Sequence, residues 1–207
     1  MEKLALIFIF SFLIGEDARF IITFMGVNSA IVLISENDTL INGKNAKSIQ
    51  FETHTISGAK VLFPIDNYYH TIINNDFNQI LYFNKRTSQP WLKNNISTIN
   101  RNNKIIYENT DIEIKRGYQN IFTLLQYLNH ISVSKLINKE FLIDREGKKY
   151  NAHFKFSHSS ELYDEFQLIL KPIISTENSS IIKGTDIFTW AVFKENAERT
   201  LRINKNN

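Results

Sequence analysis

Ser48-Ile49-Gln50-Phe51-Glu52-Thr53-His54-Thr55 alternates Ile49, Phe51 and Thr53 against Gln50, Glu52 and His54. Successive side chains of an extended chain point to opposite faces, so this stretch lays one face on a core and turns the other to water. Towards the N-terminus, 19–25 and 29–34 read as strands around Gly26-Val27-Asn28, with turn signals at Asn37-Asp38 and at the type I′ pair Asn42-Gly43. Towards the C-terminus the same pattern predicts strands over 60–63, 68–73, 79–85, 96–101, 104–109 and 111–115. Asn102-Asn103 and Asn109-Thr110 mark reversals among these. A hairpin through Asp144-Arg145-Glu146-Gly147 joins 140–143 to 150–156. A long strand over 162–171 ends at Pro172, a polar loop covers 175–180, and 186–194 and 200–204 read as the closing strands.

One segment breaks the period. Between 120 and 130 the apolar residues Ile121, Leu124, Leu125 and Leu128 fall at the spacing of one helix face, with Phe122 and Tyr127 flanking the stripe. Asn120 is placed to cap this helix, and Gly117 precedes it. So short a helix must pack its stripe on a sheet. The fold expected is mainly β: a single strongly curved or barrel-like antiparallel sheet with one inserted amphipathic helix.

The chain has 207 residues, 43% of them hydrophobic, with a formal net charge of +3. That is the size of one domain, and neither a linker nor a repeat divides it. Residues 1–18 read as a signal peptide and 19–207 as a single β-rich domain. An apolar stretch from Leu4 to Ile14, broken only by Ser11 and followed by Glu16, Asp17 and Arg19, has the length of an export signal and not of a membrane span. The expected setting is therefore periplasmic or otherwise exported, with peripheral association to the outer membrane as a variant and no stable membrane span once the signal is removed.

The chemistry this sequence argues against is specific. Cysteine is absent, which excludes disulfides, thiol catalysis and cysteine zinc sites. The 7 glycines are scattered singly and form no phosphate loop. His153 and His158 stand at the wrong spacing for a shared face, and all five histidines read as packing or surface groups, so no metal is expected. Asp111/Glu113 reads as a mixed-charge surface with Lys115, Asp144/Glu146 as turn acids, and Ser157-His158-Ser159-Ser160 as a polar turn. Basic residues form no stripe, which argues against nucleic acid as a partner. No catalytic residue and no cofactor is expected, and enzymatic activity is disfavoured.

The order of features is similar to that of a known family. Residues 20–34, with Gly26 and Ala30 at small positions, resemble the start of the exported bacterial family called domain of unknown function 3108. Residues 63–74 leading to Lys85, residues 119–128, and Trp190 with Arg199 and Ile203 continue the likeness. Asn74, Asn120 and Asn129-His130 depart from the family pattern, which favours acids at the first two places and Arg at the last. The resemblance implies a β-rich envelope protein, similar in outline to periplasmic lipoprotein carriers that hold acyl chains under a helix, and it assigns no reaction.

The leading functional expectation is a non-enzymatic binding module for a lipid or other apolar ligand, or for an envelope component. Tyr69, Phe77, Tyr82, Phe83, Leu124, Leu125 and Leu128 are the candidate ligand-lining residues. A carrier of this kind calls for a continuous apolar cavity of at least about 300 Å³ beneath the helix. A packed interior favours the alternative, a structural or protein-interaction component of the envelope, and a hydrolase with a dispersed site is a third reading.

Overall fold

The computed structural model describes residues 6–7, 17–24, 27–56, 64–137, 139–174, 180–182, 184–195, 197 and 199–204. Its first sheet is an antiparallel meander of β2 (Asp17–Phe24), β3 (Val27–Ile41), β4 (Lys44–Thr55), β5 (Asp66–Asn74), β6 (Ile80–Gln89), β7 (Leu92–Arg101) and β8 (Lys104–Tyr107), each beside its sequence neighbour. The second sheet runs in the order β1 (Leu6–Ile7), β13 (Arg199–Asn204), β12 (Tyr163–Pro172), β11 (Lys148–Ser159), β10 (Glu140–Arg145) and β9 (Tyr118–Gln119). Its β10-β11-β12-β13 body is antiparallel, while β1 joins β13 and β9 joins β10 in parallel.

The protein is thus mainly β, with two sheets where one curved or barrel-like sheet was expected. Among the described residues neither order closes on itself, since each runs between two edge strands. The chain leaves the first sheet after β8. Residues 111–115, expected as a strand, contribute only an isolated bridge from Glu113 to Ile106. Alternation is the same for one sheet or two, because it fixes which face a side chain takes and not which strand lies beside it.

Helix α1 (Ile121–Tyr127), continued by a 3₁₀ turn over Leu128–His130, begins where the stripe predicts. The Asn120 side chain accepts from the Thr123 amide at 2.9 Å, and Thr123 Oγ1 accepts from the Asn120 amide at 3.0 Å, a reciprocal capping box. Asn120 Nδ2 also donates to Thr71 Oγ1 at 2.7 Å, pinning the helix start to β5. Asn120→Ala is therefore expected to cost about 1–2 kcal/mol, read as a fall in the urea midpoint at unchanged slope. A single-turn α2 (Val133–Leu136) follows.

Three expectations are corrected. Asn37-Asp38 is no turn: β3 runs on to Ile41, with Asn37 paired to Ser48 and Lys47 bonding both Glu36 and Asp38. The reversal falls at Asn42-Gly43, whose φ values of 50° and 74° are those of the type I′ pair. The segment 186–194, read as a strand from its aromatic and β-branched content, holds α3 (Ile187–Phe193), capped by Asp186. Ser157 and Ser159, read as turn residues, lie within β11 and bond across to Glu165 and Asp164. The strand expected over 60–63 and most of the polar loop over 175–180 lie outside the described residues, as does the expected signal segment apart from 6–7 and 17–18. No helix among the described residues is long and apolar enough to cross a membrane.

The core lies between the sheets, with α1 inserted into it. Ile49, Phe51, Tyr69, Ile73 and Phe83 face inward from the first sheet, and Phe141, Ile143, Phe154, Phe166 and Leu168 from the second. Phe122 of α1 touches Phe51 and Tyr69, both at 4.4 Å between ring centroids, and stacks on Phe188 of α3 at 5.5 Å.

Candidate functional site between the sheets

Six of the seven candidate residues belong to this interior, and they fill it. Tyr69, Phe83, Leu124 and Leu128 are buried in the core. Phe77 sits at the β5–β6 reversal with φ 53° and packs on Tyr127 and His130 at 5.2 and 5.1 Å. Leu125 is half-buried and lines a cavity of about 30 Å³ with Ile121, Phe154, Leu168 and Val192. Tyr82 is separate: one residue before Phe83, it takes the opposite face of β6 and packs edge-on to His70 at 5.5 Å. A second cavity, of about 20 Å³, lies among Phe83, Tyr107, Phe122, Asp144, Glu146 and Phe193. These volumes are room for about one water each, far below the about 300 Å³ of a ligand pocket.

A charged cluster crosses the interior. Lys85 on β6 is 1% exposed, yet its ammonium bonds Glu146 and lies 2.9 Å from Asp186 Oδ2. Glu146 reaches it from the β10–β11 turn, at φ 52°, and Asp186 from the cap of α3, where it also accepts from Thr189 N at 2.9 Å and Thr189 Oγ1 at 2.6 Å. Burial alone would lower the Lys85 pKa, but the Asp186 and Glu146 charges outweigh it and hold the ammonium above its usual value. Burial would likewise raise Asp186, and the Lys85 charge with the Thr189 bonds keeps it below the ordinary carboxylate range. Beside this triad the Tyr107 hydroxyl donates to Asp144 Oδ1 at 2.6 Å, the Gly147 amide to the same oxygen at 3.1 Å, and Lys149 bonds Asp144 Oδ2. The two acids expected as ordinary turn residues are thus buried, because the turn folds against the first sheet, where Lys85 and Tyr107 meet them.

Next to Lys85 the inner face of the first sheet turns polar without matching itself. Thr53, Asn67 and Thr87 pair side by side across β4, β5 and β6 and are 0%, 0% and 2% exposed. Thr53 Oγ1, Asn67 Nδ2, Thr87 Oγ1, the Tyr69 hydroxyl and Gln89 Nε2 are buried with no hydrogen-bond partner among the described residues. The Tyr69 hydroxyl faces Asp186 and Thr87, and burial together with the Asp186 charge pushes its pKa up. Sequence reasoning missed this ledge, although its signal was present: polar side chains at the inward parity of Phe51-x-Thr53, Asn67-x-Tyr69 and Lys85-x-Thr87.

Other polar groups divide into structural pairs. Ser48 Oγ and His70 Nε2 are 2.9 Å apart on the outer face of the first sheet, and burial lowers the His70 pKa. Among the described residues no carboxylate orients the other ring nitrogen, so a complete triad is not assembled there. Asp111 and Glu113 pair separately with Arg101 and Lys104. No group of three metal-ligating side chains occurs among the described residues.

Glu36, buried on β3, ties the end of the helical segment to the first sheet. It lies 2.9 Å from His130 Nε2 and 3.0 Å from Lys47 Nζ. Burial would raise its pKa, but bonds from His130, Gln126 and Lys47 prevail and hold it below its ordinary value of 4.5. A carboxylate lowered by folding stabilises the fold above its unfolded pKa, and that contribution disappears as pH falls through the folded value. Glu36→Gln is expected to flatten the acid limb of a stability profile taken by urea unfolding between about pH 6 and pH 3. No family model, curated protein or solved structure matches the chain.

Proposed function

We propose that the protein is a non-enzymatic binding module of the cell envelope, for an apolar ligand or another envelope component. The ledge of Thr53, Asn67, Thr87, Tyr69 and Gln89 carries this reading. A buried polar group left unmatched costs about 1–3 kcal/mol. Five together approach the whole stability of a domain, about 5–15 kcal/mol. Groups held at that cost on three adjacent strands are accounted for by something that bonds them. The family resemblance supports the exported setting.

A structural or protein-interaction role is the second reading, favoured by cavities of only about 30 and 20 Å³. Protein isolated gently with its native complement is expected to melt several degrees above protein refolded after unfolding and extraction, because a ligand bound only to the folded state raises stability. Equal melting of the two preparations favours the second reading.

A further inference from the structure

We propose that the outer edge of β13 is a docking site for an extended apolar segment of another envelope protein, added as a parallel strand once the N-terminal segment has left it. The proposal rests on the envelope setting proposed above, not on the ledge, and it names the kind of component bound. In the structure the place is taken from within: Leu6 and Ile7 of β1 pair in parallel with Arg199 and Thr200. β1 also lies beside β2, the edge strand of the seven-stranded sheet, so it sits in a slot between the edges of the two sheets. Over 201–204, among the described residues, β13 has a strand partner on one side only, β12. Such an edge presents a row of backbone N–H and C=O groups that an added strand satisfies. The segment seated there is also the one read as an export signal, so its removal bares the edge in the envelope.

The lining of the slot selects the occupant. The cavity of about 30 Å³ borders Arg199 and Thr200, the two residues that β1 pairs, and Ile121, Leu125, Val192 and Leu201 are among its walls. Arg199 is the charged residue of this lining, and its guanidinium is already engaged by carbonyls at the end of α3. Nη1 donates to Ala197 O at 2.9 Å, Nη2 to Lys194 O at 2.7 Å, and Nε to Val192 O. An occupant therefore meets apolar walls and no uncommitted charge, which matches an apolar strand and not an acidic one.

The chain has no cysteine, so a designed pair in the whole protein reports the seat directly. Ile7→Cys with Thr200→Cys is expected to form a disulfide on mild oxidation. Ile7→Cys with Asn204→Cys is not, because Asn204 lies about 13 Å along the strand from Thr200, beyond the reach of a bridge. Docking is read by fluorescence anisotropy with a labelled peptide of residues 3–8, followed by two lysines for solubility. In the intact chain β1 competes from within at an effective concentration on the order of 1 mM. Leu6→Asp/Ile7→Asp weakens the hold of β1 without shortening the chain, and is expected to bind the peptide at least about tenfold more tightly than the intact protein does. The same peptide with aspartate in place of Leu6 and Ile7 is expected to lose that binding. Equal disulfide yield from the two pairs, or equal peptide affinity of the intact and Leu6→Asp/Ile7→Asp chains, overturns the docking site. Dimerisation of the opened chain in place of peptide binding makes a second copy the occupant and overturns the partner assignment. Protein recovered from the envelope with residues 1–18 still attached overturns the release step. None of these outcomes bears on the ledge, which the melting of native and refolded protein tests separately.

Discussion

Replacing Lys85 with methionine is expected to destabilise the protein by about 3–5 kcal/mol, the cost of leaving partners of a buried ion pair uncompensated. Lys85 is 1% exposed, and its ammonium is the charge that meets both Glu146 and Asp186. Methionine fills similar volume without charge, so the loss measures electrostatics more than packing. The pH dependence separates the two. In the intact protein Asp186 is held low by Lys85, so its contribution is present at neutral pH and falls away in acid. Without Lys85, burial pushes the Asp186 pKa up, and protonation of Asp186 then costs the fold less as pH falls. The gap between the intact protein and Lys85→Met is therefore expected to narrow from pH 7 to about pH 4 in urea titrations. Adding Glu146→Gln and Asp186→Asn to Lys85→Met should recover most of the loss at pH 7. The Asn side chain can still cap α3. A loss under about 1 kcal/mol, constant with pH, is incompatible with the cluster as described.

Phe122→Ala carries the second large effect, about 3–5 kcal/mol for removing a buried aromatic ring from a packed core. The ring lies against Phe51, Tyr69 and Phe188, thereby joining β4, β5, α1 and α3. Leu125→Ala, on the stripe read from the sequence, should cost distinctly less, because Leu125 is half-buried and already borders a cavity of about 30 Å³. The order of these two variants inverts what the helical stripe alone implies. Equal costs would mean that α1 packs on one sheet only.

That inversion shows what the sequence could carry. A helix laid on a single sheet buries one stripe, and 120–130 was legible in those terms down to the Asn120 cap. Inserted between two sheets, α1 also buries Phe122, Thr123 and Gln126. Nothing in a 3.6-residue period announces a second partner. Strand positions and the Asn42-Gly43 and Asn102-Asn103 reversals were readable because period and turn chemistry are local. Division into two sheets was not, since pairing is long-range. For α3, the composition Ile187-Phe188-Thr189-Trp190-Ala191-Val192-Phe193 favours a strand, and tertiary packing overrode it. Asp186 three residues before Thr189 was the overlooked cap signal.

The site divides in the same way. Tyr69, Phe83, Leu124 and Leu128 were readable as interior residues, because large apolar side chains at core parity announce themselves. Tyr82, one residue before Phe83, takes the other face of β6 beside His70, as strand parity requires. Lys85, Thr53, Asn67 and Thr87 occupy inward positions against their chemical type, a conflict between pattern and residue of the kind that marks function.

Native mass spectrometry of the gently isolated whole protein, compared with the same sample under denaturing conditions, tests the binding role most directly. An added non-protein mass is expected that persists natively, is lost on denaturation, and is diminished in Asn67→Leu. The mass of the bare chain alone under both conditions would contradict it.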